Sequence, residues 1–215
     1  MADKFIPPPY NYCDYRCSEC EGQENCRVYK DDQERVMDHF RRGEDPYDPK
    51  IFMNDIKEIC KNTEEMIHKC AEEEGIELDQ AQDEEMPDVN AEDYAVYRQA
   101  FEYFERAHAF IKDLQRSGIP DGMQLPYEDL MWYHTLIAAK AGRLVSGFID
   151  DLLEEDIRSI EEQGTIAVIR KGIKRSQAAL DNMLGELPNN LEEIAGLLDI
   201  LGRIERQLDT DIRGK

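Results

Sequence analysis

The chain has 215 residues, of which 41% are hydrophobic and 34% are charged, and its formal net charge is −22. A chain of this size can bury a core without disulfides, as one domain with or without a small appendage. The negative charge argues against binding to nucleic acids and to anionic membranes, which attract basic surfaces. The sequence shows neither a signal-peptide pattern nor an apolar run of about 20 residues, so we expect a cytoplasmic protein with reduced cysteines.

The N-terminal segment, residues 1–26, is predicted to be irregular and to bind a metal. The proline run at 7–9 forbids a regular helix, and four cysteines then follow within 14 residues in the order Cys13-x3-Cys17-x2-Cys20-x5-Cys26. Thiolates this close together in sequence can converge on one ion or cluster, because the loops between them are short. All four cysteines are therefore candidate metal and cofactor ligands.

Two kinds of metal fit four thiolates at this spacing. A [4Fe–4S] cluster is favoured, because a close triplet reaches three corners of the cubane and a fourth cysteine reaches the last. Zinc (Zn²⁺) is the alternative, because Cys17-x2-Cys20 is typical of a zinc knuckle and four thiolates bind zinc tetrahedrally. Zinc sites more often contain two separated cysteine pairs, which is why the cluster is placed first.

The triplet Cys13-x3-Cys17-x2-Cys20 resembles the cluster-binding triplet of radical S-adenosylmethionine enzymes over eight residues. In that family the triplet implies a [4Fe–4S] cluster with one iron left open for the cofactor. Here Cys26 would occupy that iron, and the sequence shows no strands for the barrel of that family. The sequence therefore does not support the chemistry of that family, and a fully ligated cluster would serve electron transfer or structure.

Helical periodicity continues after the cysteines. One helix is expected from Cys26 to Arg42, and a second follows the N-cap and first-turn pair Asp48–Pro49 and ends near Gly75. The second helix has an apolar stripe at three- and four-residue steps, formed by Phe52, Ile56, Ile59, Thr63, Ile67 and Cys70. We expect Cys60 and Cys70, on or beside this stripe, to be small buried residues.

The remaining chain is expected to form a helical bundle after an acidic linker. One helix is predicted from Glu92 to Arg116, and a long one from Pro126 to about Glu162, where Gly164 breaks the pattern. Two more helices follow, separated by a turn near Asn190. The predicted fold is all-α, an antiparallel bundle of four to six helices with an irregular four-cysteine segment. Its parts are the metal-binding segment 1–26, a helical hairpin region 27–74, an acidic linker 75–91 and a bundle 92–215.

A second metal site is a weaker hypothesis. Glu65-x-x-His68 and Glu105-x-x-His108 each place a carboxylate and an imidazole on one helix face, as in di-iron carboxylate bundles. In a chain this rich in glutamate such pairs also arise by chance. His108 and His134 lie on apolar stripes, where a buried, hydrogen-bonded histidine is the usual interpretation.

The sequence contains no phosphate-binding glycine loop and no nucleophile motif, so it favours a protein without catalysis of its own. We expect an iron–sulfur accessory or electron-transfer protein that docks on a protein partner. The alternative is a zinc-stabilised interaction module, and a di-metal bundle enzyme is a third hypothesis. A homo-oligomer is also compatible with the amphipathic helices, and neither a nucleic acid nor a membrane is expected as a partner.

Overall fold

The computed structural model describes residues 13–76, 90–149 and 155–210, and within these ranges the protein contains α-helices, short 3-10 turns and no β-strand. The helices are α1 (Arg27–Arg42), α2 (Pro49–Glu74), α3 (Ala95–Ser117), α4 (Gln124–Ile149), α5 (Glu155–Glu186) and α6 (Leu191–Asp209). The all-α prediction is therefore confirmed. Residues 1–12 and most of the predicted acidic linker 75–91 lie outside the described ranges. No helix in the described ranges combines the length and apolar character needed to cross a membrane.

The described residues divide into two compact units. The first contains residues 15–76, with three of the clustered cysteines, α1 and α2. The second contains residues 13–14, 90–149 and 155–210, and therefore includes Cys13 and Asp14 together with α3 to α6. In sequence, the first unit is inserted between two parts of the second.

The ends of α1 and α2 follow the predicted capping chemistry. The Asp48 side chain accepts a hydrogen bond of 2.7 Å from the Lys50 amide, and Pro49 occupies the first helical position. Gly43 and Gly75 close the two helices with φ angles of 74° and 70°, a left-handed conformation that glycine adopts without strain. These local signals explain why both helix boundaries were predictable.

The second unit is a four-helix bundle around one hydrophobic core. Contacts join α3 to α4, α4 to α5, α5 to α6 and α6 back to α3. Apolar side chains at helical spacing on each helix point into the space between the four helices, which is the arrangement expected for amphipathic helices. The largest fully buried side chains are Tyr103, Leu130, Tyr133, Ile137, Ile169, Ile173, Leu180, Met183, Ile194, Leu197, Ile200 and Leu201.

A glycine permits the close approach of α4 and α5. A methyl group added at Gly172 would lie 2.9 Å from Cγ1 of Ile137 and 3.2 Å from Cδ1 of Tyr133. Both neighbours are fully buried and cannot move aside without disturbing the core. Gly172 is therefore required for packing rather than for chain flexibility.

The predicted break at Gly164 is wrong, because α5 continues through this residue. Gly164 is buried and is followed by the buried Thr165, so packing against the bundle stabilises a helical glycine whose cost is about 1 kcal/mol. The described ends of the two helices are instead Ile149 and Glu155.

The apolar stripe of α2 is present but exposed. Ile59 is 56% exposed, and Phe52 and Ile67 are also exposed. Cys60 and Cys70 are exposed too, so the expectation that they are small buried residues is wrong. Periodicity identified the face correctly, but a sequence pattern does not show whether a partner covers that face.

Candidate metal centre

Two similar turns position three of the clustered cysteines. The 3-10 turns Cys17–Glu19 and Gln23–Asn25 are followed by Cys20 and Cys26 respectively. Cys20 has φ/ψ of −87°/123°, and Cys26 has −89°/124°. Each of these cysteines donates its amide to the carbonyl three residues earlier, at 3.2 Å in both cases. The backbone thus presents two cysteines in the same conformation at the ends of consecutive turns.

The thiols of this segment lie near the surface and form no disulfide. Cys20 is exposed, and Cys17 and Cys26 are half-buried. None of the six cysteines, all of which lie in the described ranges, is in a disulfide. Within those ranges, no three or more His, Cys, Asp or Glu side chains are grouped closely enough to hold a metal ion. The four-cysteine site therefore stays a prediction.

Cys13 precedes a residue that is firmly held on the bundle. The Asp14 carboxylate is only 7% exposed and accepts a hydrogen bond of 2.8 Å from the Tyr133 hydroxyl. Its Oδ2 also lies 2.5 Å from Nζ of Lys171. In addition, the Asp14 backbone carbonyl accepts a hydrogen bond of 2.9 Å from the indole of Trp132. These contacts fix the backbone next to Cys13 on α4 and α5.

Lys140 of α4 carries its charge near Cys13. Burial lowers the pKa of the Lys140 ammonium below its usual value, and nearby Arg143 lowers it further. A negative charge on Cys13 acts in the opposite direction and raises the pKa of Lys140. Lys140 and Cys13 are therefore close enough to interact electrostatically.

The residues of the hypothetical di-metal site fall in different units. Glu65 and His68 are exposed on α2, where Glu65 lies 3.6 Å from Nζ of Lys61. Glu105 and His108 lie on α3 of the bundle, and Glu105 is exposed. Neither pair belongs to a metal-binding group of three or more side chains in the described ranges. The di-metal hypothesis thus gains no structural support and stays a prediction.

His108 and His134 take part in an aromatic stack. The His134 ring lies 5.4 Å from the Phe104 ring and 5.7 Å from the His108 ring, centroid to centroid. His134 is buried, and its Nδ1 lies 3.1 Å from the Leu130 carbonyl oxygen. Burial lowers the pKa of His134, and the neighbouring His108 adds to this effect. For His134, the expectation of a buried and hydrogen-bonded histidine is confirmed.

A run of basic residues on α5, which could suggest an anion site, is paired with carboxylates of the same unit. Arg170 lies 2.6 Å from Asp209, and Arg175 lies 3.0 Å from Asp129. Lys171 pairs with Asp14, as described above. These pairs compensate the charges of Arg170, Lys171 and Arg175 within the same unit.

A second polar cluster, which no sequence motif predicts, is centred on His39 of α1. The His39 ring is 4% exposed; its Nδ1 lies 2.7 Å from Oε2 of Glu44 and its Nε2 lies 3.0 Å from Oδ2 of Asp55. Arg35 also donates to Asp55, at 3.0 Å. Both ring nitrogens are therefore engaged, so this histidine joins α1 to α2 rather than offering a ligand. Only the three-dimensional fold brings Asp55 to His39, so no local motif could have revealed the cluster.

The interactions of this cluster shift the acidity of both carboxylates. Hydrogen bonds from His39 and then Arg42 hold the pKa of Glu44 below its usual value. For Asp55, partial burial acts to raise the pKa, but the hydrogen bonds from His39 and Arg35 outweigh it and the net shift is downward. Both carboxylates thus stay ionised to a lower pH than isolated ones.

Comparison with known proteins adds no relative: no family model, no curated protein and no solved structure matches this chain.

Proposed function

We propose that the protein is a metal-binding accessory protein whose N-terminal cysteines hold a [4Fe–4S] cluster and whose helical body docks on a protein partner. The observation that carries this proposal is the pair of consecutive turns that end on Cys20 and Cys26 in the same backbone conformation. Together with Cys17 at the start of the first turn, they offer three accessible thiols within ten residues. Cys13, four positions earlier, is the fourth ligand by spacing alone.

The thiols of Cys17, Cys20 and Cys26 do not form a metal-binding group, so the proposal is one of metal binding coupled to local folding. The segment from Cys17 to Cys26 is built from short turns that carry no buried residue. Small segments of this kind depend on a metal for order, because they bury too little apolar surface on their own. The cysteine side chains would supply all the ligands, and the cluster would supply electron transfer or structural stability.

Zinc is the second candidate, and one contact favours it. The Cys20 amide donates to the Cys17 carbonyl, which closes the C-x2-C turn at 3.2 Å. A closed turn with a thiolate at each end is typical of a zinc knuckle. In this case the protein would be an interaction module without redox activity.

The test is metal analysis of the full chain purified without oxygen. A [4Fe–4S] cluster predicts visible absorption and about four irons and four sulfides per chain. Stoichiometric zinc in a colourless protein would support the second candidate instead. A chain that binds neither metal, from media supplied with iron or with zinc, would refute both.

A matched pair of variants tests the ligand assignment. Cys20→Ser should lower the metal content, because it removes one of the proposed ligands. Cys60→Ser is the control, since Cys60 is also exposed but lies on α2 outside the cluster. Equal metal content in both variants would contradict the assignment of Cys20.

The proposed role includes docking on a partner. The net charge of −22 favours a partner with a basic surface, because opposite charges accelerate association and like charges oppose it. Binding to such a partner should therefore weaken as the salt concentration rises.

A further inference from the structure

The connection between α3 and α4 contains a tight turn formed by residues 120–123. The Met123 amide donates a hydrogen bond of 3.0 Å to the Pro120 carbonyl and closes the turn. Gly122 has a φ angle of 83°, whereas Asp121 is not among the described residues with a positive φ angle. This combination is typical of a type II turn, whose third residue is preferably glycine. The turn therefore places an aspartate directly before a glycine.

The side chain of Asp121 and the amide nitrogen of Gly122 are both accessible. The two residues are exposed to solvent. Among the described residues, no hydrogen bond or ion pair engages the Asp121 carboxylate or the Gly122 amide. A Cβ atom built on Gly122 would meet no atom within 4 Å apart from its chain neighbours. The Asp121 side chain can therefore turn toward the Gly122 nitrogen without displacing other groups.

We propose that Asp121 is a site of spontaneous isoaspartate formation in the folded protein. The Gly122 nitrogen attacks Cγ of Asp121 in its carboxylic acid form, so that an N–Cγ bond forms and the C–OH bond breaks. The hydroxyl group and the amide proton leave together as one water molecule, and a five-membered succinimide ring remains. Water then opens the ring at either carbonyl. Opening at Cγ restores aspartate, and opening at the main-chain carbonyl gives isoaspartate.

The modification would lengthen a turn that is held on both sides. Isoaspartate carries the chain through its Cβ and Cγ atoms, which adds one atom to the backbone. Ile119 packs against the hydrophobic core before the turn, and Met123 is only 8% exposed after it. The Met123 carbonyl also accepts a hydrogen bond of 2.9 Å from the Tyr127 amide in the first turn of α4. The longer turn cannot keep all these contacts, so the modified chain should be less stable than the unmodified one.

The test is peptide mapping of the full chain after several weeks at physiological temperature and mildly acidic pH. Electron-transfer fragmentation distinguishes isoaspartate from aspartate, and the succinimide is recognised as a peptide that is lighter by one water. We expect isoaspartate at position 121 and none at Asp113. Asp113 is the internal control, because it is also exposed but lies within α3, where the helix holds the following amide. A parallel sample in guanidinium chloride gives the rate without the fold.

A pair of variants assigns the reaction to this turn. Asp121→Glu keeps the charge but would require a six-membered ring, so the modification should be lost. Asp113→Glu is the matched control and should leave the modification at position 121 unchanged. Far-UV circular dichroism checks that both variants keep their helices.

Two results would overturn the proposal. One is a folded sample without isoaspartate at position 121, whether or not the unfolded sample forms it. The other is equal accumulation of the modified peptide in the wild type and in Asp121→Glu, since another residue would then be reacting. The modified fraction, separated by chromatography, should also show a lower melting temperature than the unmodified fraction.

Discussion

Replacement of Asp14 by alanine is expected to destabilise the bundle by about 1.5–4 kcal/mol. The main loss is the hydrogen bond from the fully buried Tyr133 to a carboxylate, which contributes about 1.5–3 kcal/mol. The ion pair with Lys171 adds about 0–1 kcal/mol, because the Lys171 side chain is 56% exposed and its charge is well solvated. The hydrogen bond from Trp132 goes to the Asp14 backbone, so the substitution does not remove it directly.

Urea unfolding followed by tryptophan fluorescence measures this loss. Trp132 is the single tryptophan of the chain and contacts Asp14, so its emission reports on this part of the bundle. With a slope of about 2 kcal/mol per molar urea, the midpoint should fall by about 1 M. Asp113→Ala is the control, since Asp113 is exposed and, among the described residues, its ion-pair partner is Arg116 on the same helix. This variant should change stability by less than about 0.5 kcal/mol. If the two variants unfold at the same urea concentration, the structural importance assigned to Asp14 is refuted.

Three further predictions concern packing and acidity. Gly172→Ala should lower the free energy of unfolding by about 1–3 kcal/mol in urea titrations, because the added methyl group overpacks the core. Gly185→Ala is the control on the same helix; it has open space around it and should leave the free energy of unfolding unchanged or raise it by up to about 1 kcal/mol. Equal effects of the two substitutions would show that the α4–α5 contact is not tight. Because the pKa of His134 is lowered in the folded state, its contribution to stability is full above pH 6.5 and is lost as the pH falls below that value. His134→Phe should flatten this pH dependence in unfolding curves recorded between neutral and mildly acidic pH, and an unchanged slope would contradict the assignment. The pKa of Asp55 is also lowered, because its hydrogen bonds with His39 and Arg35 outweigh the effect of burial. The contribution of Asp55 to folding stability is therefore present above pH 3.8 and is lost below it. The difference in melting temperature between the wild type and Asp55→Asn should thus narrow on acidification below pH 3.8, and a constant difference would count against the His39 cluster.

Helices and their ends were predictable because their signals are local. The cap at Asp48 and the closing glycines Gly43 and Gly75 act within one turn, so the sequence contains the whole interaction. The predicted break at Gly164 is wrong for the opposite reason. Its intrinsic tendency to break a helix is local, but the packing that overrides it comes from the rest of the bundle.

The candidate site was less predictable, because metal ligands are recognised by spacing while their geometry depends on the surroundings. The spacing of the cysteines indicated a thiolate site, and the structure adds the turns that hold Cys20 and Cys26. The contacts of Asp14 with Trp132 and Tyr133 span more than a hundred residues of sequence, and no local pattern indicates them. The His39 cluster is also invisible to local sequence patterns, because Asp55, the partner of His39, lies on the next helix.

The interleaved order of the two units has a consequence for how the chain folds. Asp14 precedes its partner Tyr133 by 119 residues, and a contact between residues so far apart in sequence has a larger entropic cost of closure than a local contact. During synthesis, Asp14 leaves the ribosome long before α4 and α5 exist, whereas α1 and α2 can form soon after they emerge. The aspartate should therefore dock late, onto a bundle that has already assembled, and its docking should appear as a slow, separate phase in refolding experiments that Asp14→Ala abolishes.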